Sequence, residues 1–187
     1  MICRTTVTTK NIDINPQDIT SVTVTPDSTA TVNESRVPKT EIRLCTLDEF
    51  KVLAEPLFEE HYEEIARNKQ VMKLKPNWPM YESVDKNGFL FIYLAMQDDV
   101  CIGYSMNIIM HHFHYADLRV TQNDVLFVKK EFRGGRLGLR LLRVTEDHAR
   151  SEGCKLMLWH AKENTALAKL LPKLKYGVQE IMYSKEI

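Results

Sequence analysis

The chain has 187 residues, 44% of them hydrophobic and 27% charged, and its 25 Lys and Arg residues equal its 25 Asp and Glu residues in number. This length favours one domain with at most an appended segment, and this composition is typical of a globular protein with a core. Zero net charge argues against a protein whose main task is to coat nucleic acid, because neutralising phosphates requires a basic surplus or patch.

The apolar segments and the cysteines bear on membrane insertion, metal binding and cellular location. The longest apolar run, FLFIYLAM at 89–96, has about half the residues needed to cross a bilayer, so no membrane partner is expected. The four cysteines are scattered and include no CxxC pair, which argues against a zinc ribbon. Their pattern fits a reducing, cytoplasmic location.

Residues 1–40 differ in composition from the rest of the chain. They are rich in Thr, Ser and Asn, and the stretch 5–35 contains no Leu, Phe, Tyr or Trp. Such a segment cannot form a core of its own. It is therefore predicted to be a tail or loosely attached arm, or a strand added at a sheet edge through SVTVT (21–25). The remaining residues, 41–187, are predicted to form the domain.

The domain begins with a strand, a broken helix and a loop region. EIRLC (41–45) is strand-like. Thr46 and Glu49 have the spacing of a capping box for the helix that follows. Pro56 should break that helix, because proline cannot donate a backbone hydrogen bond and clashes with the preceding turn. Residues 71–88 are interpreted as a loop region with a helical turn or two.

The rest of the chain alternates between strand and helix patterns. Strands are predicted at 87–96, 100–115, 123–128, 155–160 and 178–187. Helices are predicted at 137–152, stopped by Gly153, and at 164–174. This order indicates an antiparallel meander running into a parallel β-α-β unit. We therefore expect an α/β fold with a mixed sheet and helices on both of its faces.

The stretch VKKEFRGGRLGLRLLRV (128–144) joins a predicted strand to a predicted helix. The first amides of a helix have no intrahelical partner, and the helix dipole places partial positive charge beside them. Glycines let the backbone approach an anion closely, and two arginines add full positive charge. A phosphate or pyrophosphate is therefore the expected guest. The glycines and arginines concerned are Gly134, Gly135, Gly138, Arg133 and Arg136.

Other glycine motifs fit this turn less well. A nucleotide P-loop requires Gly-Lys-Ser/Thr after four residues, and the turn does not contain it. The dinucleotide fingerprint requires GxGxxG near the start of a parallel α/β unit, which neither GGRLG nor the preceding meander provides. A glycine-rich loop that binds no ligand remains the alternative on the turn alone.

In this strand order, VKKEFRGGRLGLRLL resembles the acetyl-CoA loop of the GNAT acetyltransferase superfamily. In that loop a strand ending in Val is followed by Arg or Gln, two residues, usually Gly, one residue, and Gly or Ala. Residues 133–138 fill this frame, with Arg136 where Gly is commoner. VCIGYSMNI, DVLFV, WHAKENTAL and LLPKLKYGVQE also resemble family segments, so the resemblance covers about 41–187. HY (114–115) and YS (183–184) resemble small acetyltransferases of bacteriophages, which would make the chain a phage- or prophage-type member.

The resemblance implies acyl transfer from acetyl-CoA to an amine acceptor, either a small molecule or a protein. The pyrophosphate would lie on the amides of the glycine turn. A backbone amide near Phe127 and Val128 would polarise the thioester oxygen, and the cofactor would lie in a gap where two strands splay apart. The cofactor-binding residues implied are Leu126, Phe127, Val128, Arg133, Gly134, Gly135, Arg136, Leu137, Gly138, Leu139 and Asn164.

The acceptor amine must lose a proton before or during attack, because an amine is mostly cationic at neutral pH. Asp124 is the first candidate for the base, since family members often carry an acidic residue there; an ordinary Asp at the start of a strand is the alternative. His112 and His114 would share one face of a strand and are further candidates, with exposed polar residues as the alternative. They are not accompanied by a second cluster of ligands, so no metal is expected.

The residue that would protonate the leaving thiolate is less clear. The family commonly uses a Tyr where this chain has Leu171, and Tyr176 is a candidate substitute. A thiol of pKa about 8.5 can also leave without help. The missing acid and the N-terminal arm support an alternative function, a catalytically weak or inactive GNAT-fold binding or inhibitor module.

Two further stretches bear on partners. The acidic run EEHYEE (59–64) could receive a cationic acceptor but is better interpreted as a solvated helix face. NWPMYE (77–82) lies where the resemblance implies an acceptor loop, and it could equally be a hydrophobic plug over the sheet. The N-terminal arm and the final strand also indicate a homodimer.

Overall fold

The computed structural model describes residues 39–187. The arm predicted at 1–40 lies outside these residues except for its last two, and Thr40 already belongs to the first strand. The strands are β1 (Thr40–Cys45), β2 (Leu90–Gln97), β3 (Val100–His112), β4 (Tyr115–Val128) and β5 (Leu156–Leu158). The helices are α1 (Leu47–Leu53), α2 (Phe58–Ile65), α3 (Trp78–Lys86), α4 (Leu137–Ser151) and α5 (Ala166–Leu170), with 3-10 turns at Glu55–Leu57, Lys130–Phe132 and Leu171–Leu174.

The strands form one five-stranded sheet in the order β1-β2-β3-β4-β5. Neighbouring strands from β1 to β4 are antiparallel, whereas β4 and β5 are parallel and are joined through α4. The predicted α/β fold, with its mixed sheet, is therefore confirmed. Within residues 39–187 no helix is both long enough and apolar enough to cross a membrane.

The sheet is covered on both faces because β2 is apolar on both sides. Successive residues of a strand point to opposite faces. Leu94 is fully buried in the core that contains Phe50 of α1, and Ala95 is fully buried in the core that contains Leu141 of α4. The helices α1 and α4 thus lie on opposite faces, as the sequence predicted.

The start of the domain follows the sequence closely. The Glu49 amide donates to Thr46 Oγ1 at 3.1 Å, and the Thr46 amide donates to Glu49 Oε2 at 3.0 Å, which confirms the capping box. The predicted break at Pro56 is also present, since α1 ends at Leu53 and α2 begins at Phe58.

The structure corrects three predicted elements. Residues 71–88 contain α3, whose first turn holds Pro79 and is capped by Asn77 Oδ1. The strand predicted at 123–128 begins at 115, because the polar stretch ADLRVTQ continues the ladder with β3. The final strand predicted at 178–187 does not form. Its apolar side chains are exposed, because β5 is too short an edge to extend the ladder to another strand.

The exposed C-terminal segment leads to a prediction about stability. Two side-chain hydrogen bonds, donated by Asn68 to Ser184 and by Gln70 to Glu186, hold it to the domain. Exposed contacts of this kind contribute little to the free energy of unfolding. Removing residues 178–187 should therefore change the free energy of unfolding by less than about 1 kcal/mol, measured in urea. Leu141→Ala, as a core control, should cost about 2–5 kcal/mol; a comparable loss on truncation would contradict the exposed placement.

Candidate active site

The strands β4 and β5 separate where β4 continues alone. β5 pairs only with Val120, Thr121 and Gln122. The rest of β4, residues 123–128, has no β5 partner on that edge. A gap therefore opens between the two strands, as the family resemblance implied, and Leu126, Phe127 and Val128 border it.

A β-bulge at Asp124 marks the start of this gap. Met106 of β3 faces Val125, but Asn107 faces Asn123, so Asp124 has no residue opposite. Bulges of this kind change the direction of a strand and the direction in which its side chains point. The bulge also shifts the alternation by one residue, because Asn123 lies with Asn107 on the α4 side whereas Val125 packs in the core beneath α1.

A buried polar network holds the bulge on the α4 side. The Asn123 amide nitrogen donates to Asn107 Oδ1 at 2.9 Å and to the Met106 carbonyl at 3.2 Å. Thr145 of α4 donates to Ser105 Oγ at 3.1 Å, and these side chains are almost completely buried. These bonds hold the local path of β4, although Asn123 Oδ1 has no hydrogen-bond partner within residues 39–187. Sequence reasoning missed these residues, although polar side chains inside apolar strands were a signal.

Glycine at position 103 allows the end of β4 to lie close to β3. A Cβ atom at Gly103 would stand 2.7 Å from the Phe127 carbonyl oxygen and 3.2 Å from Val128 Cα. No side chain fits at that distance from the backbone without movement. Gly103 therefore positions the residues of β4 that border the gap.

The Asp124 carboxylate faces α3. Tyr81 donates its hydroxyl hydrogen to Asp124 Oδ2 at 2.6 Å, and the contact is partly buried. Burial, followed by this hydrogen bond to a carboxylate, raises the pKa of Tyr81 above its ordinary value. Tyr81 therefore remains a donor over the whole physiological range and orients the Asp124 carboxylate.

An aromatic cavity of about 490 Å³ lies beside this pair, between the sheet and α1, α2 and α3. Met106 and Val125, the pair next to the bulge, contribute to its sheet side. The aromatic side chains that line it are Phe50, Phe58, Tyr62, Trp78, Tyr81 and Tyr104. The cavity thus adjoins both the bulge and the Asp124–Tyr81 pair.

His61 forms part of the cavity wall and was not identified from the sequence. Its Nδ1 is hydrogen-bonded to the Tyr104 hydroxyl at 2.8 Å, and its ring stacks on Phe127 with 4.7 Å between centroids. The pKa of His61 is lowered to about 4, chiefly by burial, with smaller opposing effects of Glu64, which raises it, and Arg133, which lowers it. His61 is therefore a neutral ring at neutral pH.

The glycine turn, residues 133–138, leads into α4. Gly134 has φ of +83°, which glycine adopts at no steric cost. A Cβ atom at Gly135 or Gly138 would meet no atom within 4 Å, so internal packing does not require glycine there. The N-cap residue of α4, Arg136, makes no side-chain capping bond, and the first turn contains no acidic residue. The first amides of α4 thus carry the positive end of a helix of 15 residues.

The Arg133 side chain is bonded to Val128 and Glu64. This corrects the expectation that it would add free charge to the turn. Its Nε donates to the Val128 carbonyl at 2.6 Å, and its two Nη atoms contact the Glu64 carboxylate at 2.7 and 2.6 Å. This bidentate pair lowers the pKa of Glu64. Arg136, by contrast, is exposed and forms no ion pair within residues 39–187.

The remaining cofactor candidates belong to the first turn of α4 and to the segment after β5. Leu137 and Leu139 are in that first turn, where Leu137 is buried against the sheet and Leu139 is half-buried. Asn164 follows β5 with φ of +66° and precedes α5. The Arg133 bond to the Val128 carbonyl holds the glycine turn to the end of β4.

Three catalytic candidates from the sequence do not line the aromatic cavity. His112 ends β3 and His114 lies in the β3–β4 turn, where the His114 amide donates to His112 Nδ1 at 3.1 Å. Measured along β3, that turn is roughly 17 Å from the bulge. Tyr176 donates its hydroxyl hydrogen to Glu146 of α4. Asp124 does not line the cavity itself but is hydrogen-bonded to Tyr81, which does.

No group of three or more His, Cys, Asp or Glu side chains within 39–187 has an arrangement that could hold a metal ion.

The lowered pKa of His61 leads to a prediction about pH. Between pH 6.5 and 4 the unfolded chain binds a proton at this histidine and the folded chain does not, so folding stability should fall as pH falls through this window. The loss attributable to His61 should be roughly 3 kcal/mol. Unfolding in urea across this range should show that loss in the native chain and not in His61→Gln. The exposed control His114→Gln should keep the native pH dependence; an unchanged slope in His61→Gln would contradict the assignment.

Comparison with known proteins gives the family. Residues 50–176 match the family described as the acetyltransferase (GNAT) family. A comparison with curated proteins gave no match.

Solved acetyltransferases share the fold. A ribosomal-protein-alanine N-acetyltransferase from Brucella melitensis biovar Abortus 2308 is 17% identical, with TM-score 0.59 over 80% of this chain and 99% of the other. A putative acetyl transferase from Pyrococcus furiosus is 16% identical, with TM-score 0.62 over 80% and 100%. The aminoglycoside N-acetyltransferase AAC(6')-Iy, solved in complex with CoA, is 22% identical, with TM-score 0.58 over 82% and 99%.

These likenesses establish the fold, and the family match covers more than half of the chain. None of the three structures supports the phage-type resemblance. The strand order, the gap between β4 and β5 and the glycine turn agree with the family match. The chain belongs to the GNAT family of acetyltransferases.

Proposed function

We propose that the protein is an acetyl-CoA-dependent N-acetyltransferase that transfers the acetyl group to an amine. The observation that carries this proposal is the gap beside β4. The glycine turn lies at one end of it, and Asp124 and the aromatic cavity lie at the other. A donor and an acceptor could therefore meet at β4 from opposite sides.

The residues around the turn fit the donor. Gly135 and Gly138 leave open space where a side chain would stand, and the uncapped amides of α4 point out of the helix end. Arg136 offers a cation without a partner within the described residues. These features are the usual means of holding a phosphate or pyrophosphate. AAC(6')-Iy, a structural neighbour, was solved with CoA, which also supports acetyl-CoA as the donor.

The acetyl thioester supplies an activated carbonyl carbon, and the chain must stabilise negative charge on its oxygen. An unpaired backbone amide at the end of β4, in the region of Phe127 and Val128, is the proposed donor. A well-placed donor of this kind lowers the activation free energy of the reaction by about 2.7–4 kcal/mol. Gly103 and the Arg133 bond to the Val128 carbonyl hold this backbone in place.

Asp124 is the proposed general base. The acceptor nitrogen forms a bond to the acetyl carbon, the carbon–sulfur bond breaks, and a proton passes from the nitrogen to the Asp124 carboxylate, directly or through one water. Tyr81 orients this carboxylate by donating to Oδ2, which leaves Oδ1 for the proton. The electron pair of the broken bond stays on sulfur.

Neither the family position nor Tyr176 offers a free tyrosine hydroxyl to protonate the leaving sulfur. Leu171 occupies the position of the usual family tyrosine, and the Tyr176 hydroxyl is bound to Glu146. A thiol of pKa about 8.5 leaves readily as a thiolate. The proposed reaction therefore requires a base from the chain but no acid.

The glycine turn leads to a prediction about donor binding. Gly135→Val should leave the melting temperature of the free protein within a few degrees, because open space surrounds the position. Affinity for acetyl-CoA, measured by calorimetry, should fall at least about tenfold, since the side chain would keep the pyrophosphate from the amides. Gly177→Val is the matched control, since Gly177 also faces open space. Equal affinities in both variants would contradict the proposed donor site.

Asp124→Asn is predicted to lower kcat by about 10²–10⁴-fold while acetyl-CoA affinity stays unchanged, because the amide keeps the shape but cannot accept the proton. Asp117→Asn, on an exposed part of the same strand, is the control and should retain activity. Full activity in Asp124→Asn would exclude Asp124 as the base.

The same measurements distinguish the alternative. A chain that binds acetyl-CoA but acetylates no amine would be the weak or inactive GNAT-fold binding or inhibitor module. The missing tyrosine at Leu171 is the observation that favours it. Cytoplasmic location, homodimer formation and the separate N-terminal arm stay predictions from the sequence.

A further inference from the structure

The mouth of the aromatic cavity carries four cationic side chains. These side chains, here called the basic rim, are Arg67, Lys73, Lys75 and Lys162. All four residues are exposed, whereas the aromatic residues behind them are buried or half-buried. Within residues 39–187 no Asp or Glu lines the cavity directly. The cavity therefore has an apolar interior and a positively charged entrance.

None of the four acidic residues of α2 lines the cavity, and two of them are paired with other cations. Glu64 is held by Arg133, and Glu63 is held by Lys69 at 2.6 Å. Lys73, Lys75 and Lys162 form no ion pair among the described residues. Arg67 donates to the Glu163 carbonyl at 3.1 Å, which leaves its charge uncompensated.

This arrangement selects among amines by charge. A polycation would be repelled by the rim and would find no lining carboxylate inside, so it would be desolvated without compensation. An amine that also carries an anion can pair that anion with the rim while its body fills the apolar interior. Neighbouring cations and apolar surroundings both disfavour an ammonium, so they help such an amine to lose its proton to Asp124.

We propose that the acceptor is a small amine with an aromatic or large apolar body and an anionic group, a carboxylate or a phosphate, that binds the basic rim. This inference rests on the proposed acetyltransferase function. The cavity volume, about 490 Å³, is in the range of small-molecule sites, which is roughly 300–1,000 Å³. The aromatic lining complements a flat, apolar body, and the rim complements the anion.

The test compares amines that differ in the anionic group. L-Phenylalanine is compared with phenylalaninamide and phenethylamine, which lack the carboxylate and bracket phenylalanine in amine basicity. Tyramine phosphate is compared with tyramine, and kanamycin represents the polycations. Acetylation is followed as thiol release, and acetyl-CoA binding is measured by calorimetry on the same preparations. We expect kcat/KM at least about tenfold higher for the anionic member of a pair. The pair of amines with the larger ratio of kcat/KM values shows whether the rim prefers a carboxylate or a phosphate.

Charge reversal at the basic rim tests whether these cations cause the preference for anionic amines. Lys73→Glu/Lys75→Glu should reduce the anionic preference by at least about tenfold and leave acetyl-CoA affinity unchanged. Lys169→Glu/Lys173→Glu is the matched control, since both residues are exposed and do not line the cavity. Raising the salt concentration should narrow the preference in the native chain, because exposed charges are screened.

The outcomes distinguish failure of the acceptor inference from failure of the proposed acetyltransferase function. If acetyl-CoA binds and the anionic amines are not preferred, if kanamycin is the best acceptor, or if no amine in the panel is acetylated, the acceptor inference is overturned and the donor site stands. If the preference survives the double charge reversal, the rim is not its cause and the inference is also overturned. If acetyl-CoA does not bind at all, the proposed function itself fails.

Discussion

The separation of β4 from β5 beyond Gln122 is the constraint on which the candidate site depends. Parallel strands normally continue their ladder, so the end of β4 needs support from its other edge. The bulge at Asp124, the buried amide of Asn123 and the close approach allowed by Gly103 give that support. The end of β4 thereby has no β5 partner and carries a partly buried carboxylate, the two features on which the proposed acyl transfer rests.

The Glu64–Arg133 pair connects the two halves of the site. Glu64 belongs to α2, which borders the aromatic cavity, and Arg133 begins the glycine turn and binds the last carbonyl of β4 at Val128. A shift of α2 would therefore displace Arg133 at the donor end of the gap. His61, one turn before Glu64, packs its neutral ring on Phe127 and adds an apolar contact to the same connection. The proposed acceptor and donor sites are thus connected through these contacts.

Much of this was accessible from the sequence, and the exceptions have physical causes. The glycine turn, the strand order and the candidate base Asp124 follow from local patterns, because helix ends and strand periodicity are local properties. The partner of Arg133 lies 69 residues away, at Glu64, and distance in sequence hides such pairs. Residue type and strand alternation favour His112 and His114, but the bulge and the hairpin decide which side chains reach the cavity. The final strand at 178–187 had a suitable pattern and lacked a partner, since pairing is a property of the whole sheet.

Thermal unfolding of the native chain with acetyl-CoA, and with ATP and NAD as controls, tests the central claim most directly. A ligand at about 100 times its dissociation constant stabilises a protein by roughly 2.7 kcal/mol. For a chain of this length the melting temperature should then rise by about 5–11 °C. The account predicts this rise with acetyl-CoA and little change with ATP or NAD. No rise at saturating acetyl-CoA, or an equal rise with all three, would contradict a dedicated acetyl-CoA site at the glycine turn.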